Sequence, residues 1–150
     1  MGTFDPALYL DSSLTDANST QSIPVDQGEY PAMADEIEVR QWTGKKDPSK
    51  SGISLDINWS IDDAGQREKL GRDKVIVRQS LMIDLNEGGG IDTGKGKNVR
   101  LGRLREALGL NTPGQPFSFR MIQGKVAKVK VEQRPDGDVI YNDVTAVAAL

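Results

Sequence analysis

Ile53-Ser54-Leu55-Asp56-Ile57-Asn58-Trp59-Ser60-Ile61 is the stretch on which the fold turns. Every odd-numbered residue in it is large and apolar, and every even-numbered one is small or polar. Successive side chains of a strand point to opposite faces, so this period of two predicts a strand with one face in a core and the other outside. Trp59 falls on the apolar side and is expected to be core.

Two further strands are expected around it. Upstream, Gly44–Lys50 is a charged turn holding Asp47-Pro48, and it follows a segment, 28–42, in which Tyr30, Ala32 and Ala34 alternate and then give way to Ile37 and Val39. The single slip from even to odd predicts a bulge in a long first strand. Downstream, Asp62–Gly65 reads as a turn and Arg67–Leu70 as one turn of helix. Residues 73–85, with Val75, Ile76, Val77, Leu81, Met82 and Ile83, read as a third strand.

After a glycine-rich loop, Glu87–Gly96, a helix is expected over 98–108. Asn98 stands at its N-cap, Leu101, Leu104 and Leu108 form its apolar stripe, and Gly109 takes the position just past its end. Phe117 and Phe119 lie in a connector and are expected to close the core. The last hairpin pairs 125–134 with 139–147 around Pro135-Asp136-Gly137. Three strands, a helix and two strands is the order of an OB-fold. The expectation is therefore an all-β fold with one helix, a five-stranded OB-like Greek-key barrel whose helix lies between strands three and four. An SH3-like barrel or a small sandwich does not predict a helix there.

The 150 residues suit one domain. Residues 1–25 read as an arm, rich in Ser and Thr, with Phe4, Leu8, Tyr9, Leu10 and Leu14 available for packing and a helical turn expected over Asp5–Leu10 behind Pro6. Residues 26–150 read as the barrel. The overall charge of −3 hides a split: residues 1–39 hold eight acidic residues and no Lys or Arg, while 40–150 hold all 19 cations and a net charge of +5. That asymmetry points to a basic working surface beside an acidic arm.

The chain has no Cys and no His. Thiolate and imidazole metal sites, disulfides and the histidine-based triads are thereby excluded, and no enzyme, cofactor or metal is expected. No apolar run is long enough to span a membrane, and Met1–Leu10 lacks the basic start of an export signal, so a cytoplasmic protein without membrane partners is expected. Gly89–Gly96 has the glycine and Gly-Lys spacing of a phosphate-binding loop. Gly96 stands where a magnesium-binding Ser or Thr belongs, and no later Asp-ending strand completes the motif, so no nucleotide hydrolysis is expected.

The basic positions are more informative. Arg40, Trp42, Lys45, Lys46 and Lys50 gather at the end of the first strand. Arg72, Lys74 and Arg78 are expected to share a face of the third strand, and Lys128, Lys130 and Arg134 a face of the fourth. Cations for phosphates and rings for bases are how OB barrels hold single strands. The candidate binding residues are Arg40, Trp42, Lys45, Lys46, Arg72, Lys74, Lys128 and Lys130, with Trp42 and Tyr141 as candidate stacking rings.

From Ile23 onward the chain resembles a family of small phage-encoded proteins whose characterised relatives are OB-fold single-stranded DNA-binding proteins. The resemblance rests on Ile23-Pro24, Gly28-Glu29-Tyr30, Ser51-Gly52, Leu70-Gly71-Arg72, Leu101–Leu110, Gly124-Lys125 and Tyr141-Asn142-Asp143-Val144. It implies single-stranded DNA as partner and a role in phage replication or recombination inside an infected bacterium. A second copy of the chain and replication proteins are further candidate partners. One departure is plain: cellular single-strand binders often end in an acidic tail, whereas this chain ends Ala146-Val147-Ala148-Ala149-Leu150. The competing expectation is a capsid cement or decoration protein of the virion, anchored by its arm.

Overall fold

The computed structural model describes residues 4–20, 22–47 and 51–150. Five strands, β1 (Gly28–Thr43), β2 (Ser51–Ile61), β3 (Val75–Ile83), β4 (Val126–Asp136) and β5 (Val139–Ala148), form one sheet in the order β3-β2-β1-β4-β5. Every pairing is antiparallel. Three helices accompany them: α1 (Pro6–Leu10), α2 (Ala64–Leu70) and α3 (Val99–Ala107), together with a 3₁₀ turn at Phe119–Ile122. Beside α3, the one helix expected of the barrel itself, the helical turns expected over Asp5–Leu10 and Arg67–Leu70 are present as α1 and as a longer α2, capped by the Asp5 and Asp63 side chains.

The slip in the first strand is a bulge between Ala34 and Glu36, at Asp35. Before it β1 pairs on both sides, with β4 from Gly28 to Met33 and with β2 from Ala32 onward. Beyond it, Glu36–Thr43 keeps only β2. Gly124 and Lys125 bond the backbone of Ala34, and Gln123 Nε2 donates to the Asp35 carbonyl, so the incoming chain fixes the bulge.

One face of the sheet packs the core with Leu55, Ile57, Trp59 and Ile61 of β2, all at most 1 % exposed. Val75, Val77, Leu81 and Ile83 of β3 and Ala127, Val129 and Val131 of β4 join them. Full burial of each large aliphatic side chain is worth roughly 1.5–3 kcal/mol. β3 is shorter than expected, with Gln79 buried in its apolar row, where it accepts a 2.9 Å hydrogen bond from Trp59 Nε1. Leu101 and Leu104 of α3 and Ile122 of the 3₁₀ turn cover the core, with Phe117 and Phe119 half-buried in edge-to-face contact at 6.2 Å.

The ladders do not close into a cylinder. β3 and β5 are the edges of an open sheet; they approach within 8 Å between Cα atoms, but no ladder joins them among the described residues. The arm is the other departure. Val25 is buried and pinned by Asn142, which accepts from its N–H at 2.8 Å and donates to its carbonyl at 2.9 Å, so the last residue assigned to the arm belongs to the core. From Phe4 to Leu14 every residue is exposed.

Candidate functional site

Past the bulge, the even residues of β1 face outward with the even residues of β2 and β3. The register sets Trp42 opposite Gly52, Arg40 opposite Ser54, Glu38 opposite Asp56 and Glu36 opposite Asn58. Across β2, Asp56 meets Ser80 and Asn58 meets Arg78. A groove of about 480 Å³ runs from this face across the gap between β3 and β5. Four guanidiniums line it: Arg40 of β1, Arg78 of β3, Arg100 of α3 and Arg134 of β4. Tyr141, Asp143 and Thr145 of β5 form its far wall.

Asp56 lies beneath two of these cations. Its side chain is 3 % exposed, and Arg40 Nε and an Arg78 terminal nitrogen both donate to Oδ2. Oδ1 accepts from a second Arg40 nitrogen at 3.3 Å and from the Ser54 hydroxyl at 3.2 Å. Burial alone pushes this carboxyl up, but the hydrogen bonds from Arg40, Ser80 and Arg78 outweigh it and hold the group well below the usual carboxylate range. On the far wall Arg134 Nε donates to Asp143 at 2.8 Å and its guanidinium stands 4.9 Å from the centre of the Tyr141 ring. Arg100 has no carboxylate within salt-bridge distance among the described residues.

Trp42 is next along the face from Arg40, about 7 Å away at strand spacing. Its indole lies flat against Gly52: a Cβ added there would come within 2.9 Å of three ring atoms. Its Nε1 donates to the Ile53 carbonyl at 3.2 Å. The ring is therefore held as a half-exposed platform and is not core.

The remaining residues expected at the site are dispersed. Lys45 and Lys46 are exposed beyond β1, and Lys50 lies outside the described residues. Arg72 and Lys74 precede β3, so they do not share its face with Arg78, and Lys74 is ion-paired to Asp35 at the bulge. Lys128 and Lys130 lie on the outer face of β4 in the same row as Arg134. Lys130 is four residues from it, about 13 Å at strand spacing. Each is within 3.5 Å of a carboxylate, Glu29 and Glu132 respectively. Glu36 and Glu38 line the adjoining hollow and give the groove an acidic border.

The glycine-rich loop is organised by its own side chains. Asn86 Oδ1 accepts from Gly88 and Gly90, and Asp92 Oδ1 from Gly94. Asn98 stands at the N-cap of α3 as expected but, contrary to the role expected of it, does not cap the helix with its side chain; in a left-handed conformation it ties Asp84 to Asp92 instead. The Gly88, Gly90 and Gly94 amides are thus engaged within the loop.

Sequence reasoning missed Asp56 as more than an alternating polar residue, and missed Arg100 altogether. No residue type marks either; only the strand register and the path of α3 bring them to Arg40. Among the described residues no group of His, Cys, Asp or Glu could hold a metal ion, and no helix is long and apolar enough to cross a membrane. Neither a protein-family model nor a curated protein sequence matches the chain.

Proposed function

We propose that this protein is an OB-type barrel that binds single-stranded DNA across the arginine-lined groove. The groove carries the reading: four guanidiniums and an exposed tyrosine ring line it, and the Trp42 platform is next to Arg40 along the face of β1. Guanidiniums pair with phosphates, and rings stack on bases that only an unpaired strand exposes. The strand order β3-β2-β1-β4-β5 supports the barrel assignment, being that of an OB-fold opened along its β3–β5 seam, and α3 follows β3 in the chain. The phage resemblance supports a role in replication or recombination in an infected cell. The test is a titration of labelled oligonucleotides: single strands bind at low salt with little sequence preference, and absence of binding there refutes the proposal.

One observation favours a second reading. Phe4, Leu8, Tyr9, Leu10 and Leu14 are each at least 70 % exposed, an apolar segment that the domain does not cover. A cement protein would seat such an arm on a capsid. In that case a chain lacking residues 1–22 stays folded, loses shell binding, and neither it nor the full chain binds oligonucleotides.

A further inference from the structure

We infer that Asp56 is a positioning residue that builds, from Arg40 and Arg78, a fixed receptor for one phosphate of the bound strand. This rests on the DNA reading above and specifies how one point of the groove would work. Asp56 occupies the central strand of the outer face. Arg40 approaches it from β1 and Arg78 from β3, each displaced by one row along the strands and in opposite directions. The carboxylate accepts from the two guanidiniums at Oδ2 and from Arg40 and the Ser54 hydroxyl at Oδ1. The guanidiniums stay about half exposed and line the groove, with N–H groups not used on Asp56.

Two effects of this carboxylate oppose each other for an anionic ligand. It cancels part of the cationic charge, which weakens attraction at long range. It also removes rotamer freedom from two long side chains, so that their remaining donors are already placed when a phosphate arrives. A groove that worked by charge density alone would be better without Asp56. A fork held at fixed geometry recognises a tetrahedral phosphate by paired hydrogen bonds, which an ammonium cannot reproduce. Glu38, two residues from Arg40 on β1, and Glu36, level with Arg78 across Asn58, line a hollow that Arg78 also lines; they offset cationic charge there, so the two guanidiniums offer a phosphate fixed geometry more than charge density.

The test compares Arg40→Lys, Arg78→Lys and Asp56→Asn with wild type by oligonucleotide anisotropy over a salt series, with a thermal melt of each variant. Lysine keeps the charge, so the slope of log affinity against log salt is expected to stay constant. The line as a whole is expected to drop by roughly five- to tenfold, because the lost contacts are geometric and not ionic. Asp56→Asn raises the net charge by one; it is expected to steepen the slope while lowering affinity at high salt. Lysine variants that superpose on wild type, or an Asn variant that binds more tightly at every salt concentration, overturn the inference and leave the DNA reading standing. A wild-type protein that binds no oligonucleotide removes both. Should Asp56→Asn fail to fold, the lysine variants, which retain a cation beside Asp56, decide the question.

Discussion

Replacing Arg100 by Ala separates charge from fold in this groove more cleanly than any other single change. The Arg40 and Arg78 side chains compensate a buried carboxylate, so truncating either removes one of its two cationic partners. Arg100 compensates nothing: no carboxylate lies within reach among the described residues, and the side chain is exposed at the second position of α3. A cation in the first turn of a helix opposes the macrodipole, so alanine there is expected to leave the melting temperature unchanged or slightly higher. Single-strand binding releases about 0.7 counterion per neutralised phosphate, so three or four arginine contacts give a slope of roughly −2 to −3 in log affinity against log salt. Losing Arg100 flattens that slope by about 0.7 and, at 0.1 M salt, weakens binding about fivefold by the same relation. The assay is anisotropy of a labelled oligothymidylate from 50 to 300 mM salt. An unchanged slope in a folded Arg100→Ala variant refutes the placement of the strand in this groove.

Lys128→Ala combined with Lys130→Ala is expected to leave the binding of oligonucleotides of about five bases unchanged and to weaken longer ones, because these lysines lie beyond the groove on the row leading from Arg134; equal losses at every length would place them in the primary site. Gln79→Leu removes the acceptor of the buried Trp59 N–H, and thermal and urea unfolding should show a loss of about 1–3 kcal/mol, the cost of an unpaired buried donor. The depressed Asp56 carboxyl sets an acid limit. Its folded value lies below its unfolded value, near 3.8, so its stabilisation is complete above that value and is lost progressively as pH falls further, through the folded one. Melting temperatures from pH 6 to pH 2 should therefore fall less steeply for Asp56→Asn than for wild type.

What could be read in the sequence follows from what is local. The alternation of Ile53–Ile61 and the slip at Asp35 are each written in consecutive residues, and β1 and β2 follow them closely; the last hairpin forms where expected but turns at Gly137-Asp138, with Pro135 and Asp136 paired inside β4. Gln79 breaks the apolar row of β3 for a reason twenty residues away, in the indole N–H of Trp59. Asn98 has the residue type of a cap, but two backbone carbonyls outside α3 take its side chain. The site was legible only in part for the same reason. Arg40 and Trp42 announce themselves as a cation and a ring on one strand face. Asp56 looks like any polar residue of an amphipathic strand until the register sets Ser80 on one side and Glu38 on the other. Arg72 and Lys74 match the parity of Arg78, but parity carries a face only inside the strand, and β3 begins at Val75.

The position of the groove has a cause in the edges of the sheet. Unladdered strands expose donors and acceptors to any extended chain, and proteins protect such edges with charge or cover. Here both devices are present. Arg78 projects from the β3 edge, and α3 packs against both β3 and β5, driving Leu101 and Leu104 into the core. The helix that seals the apolar interior is therefore the element that carries Arg100 to the rim. The β4–β5 hairpin, extended past the end of the β1 pairing, brings Arg134 and Tyr141 to the opposite rim. Cations from four separate segments meet where the sheet has no hydrogen-bonded neighbour to exclude a ligand. The stretch of chain that completes the core is thus the stretch that places Arg100 on the groove, and α3 cannot be loosened from the core without withdrawing Arg100 from it.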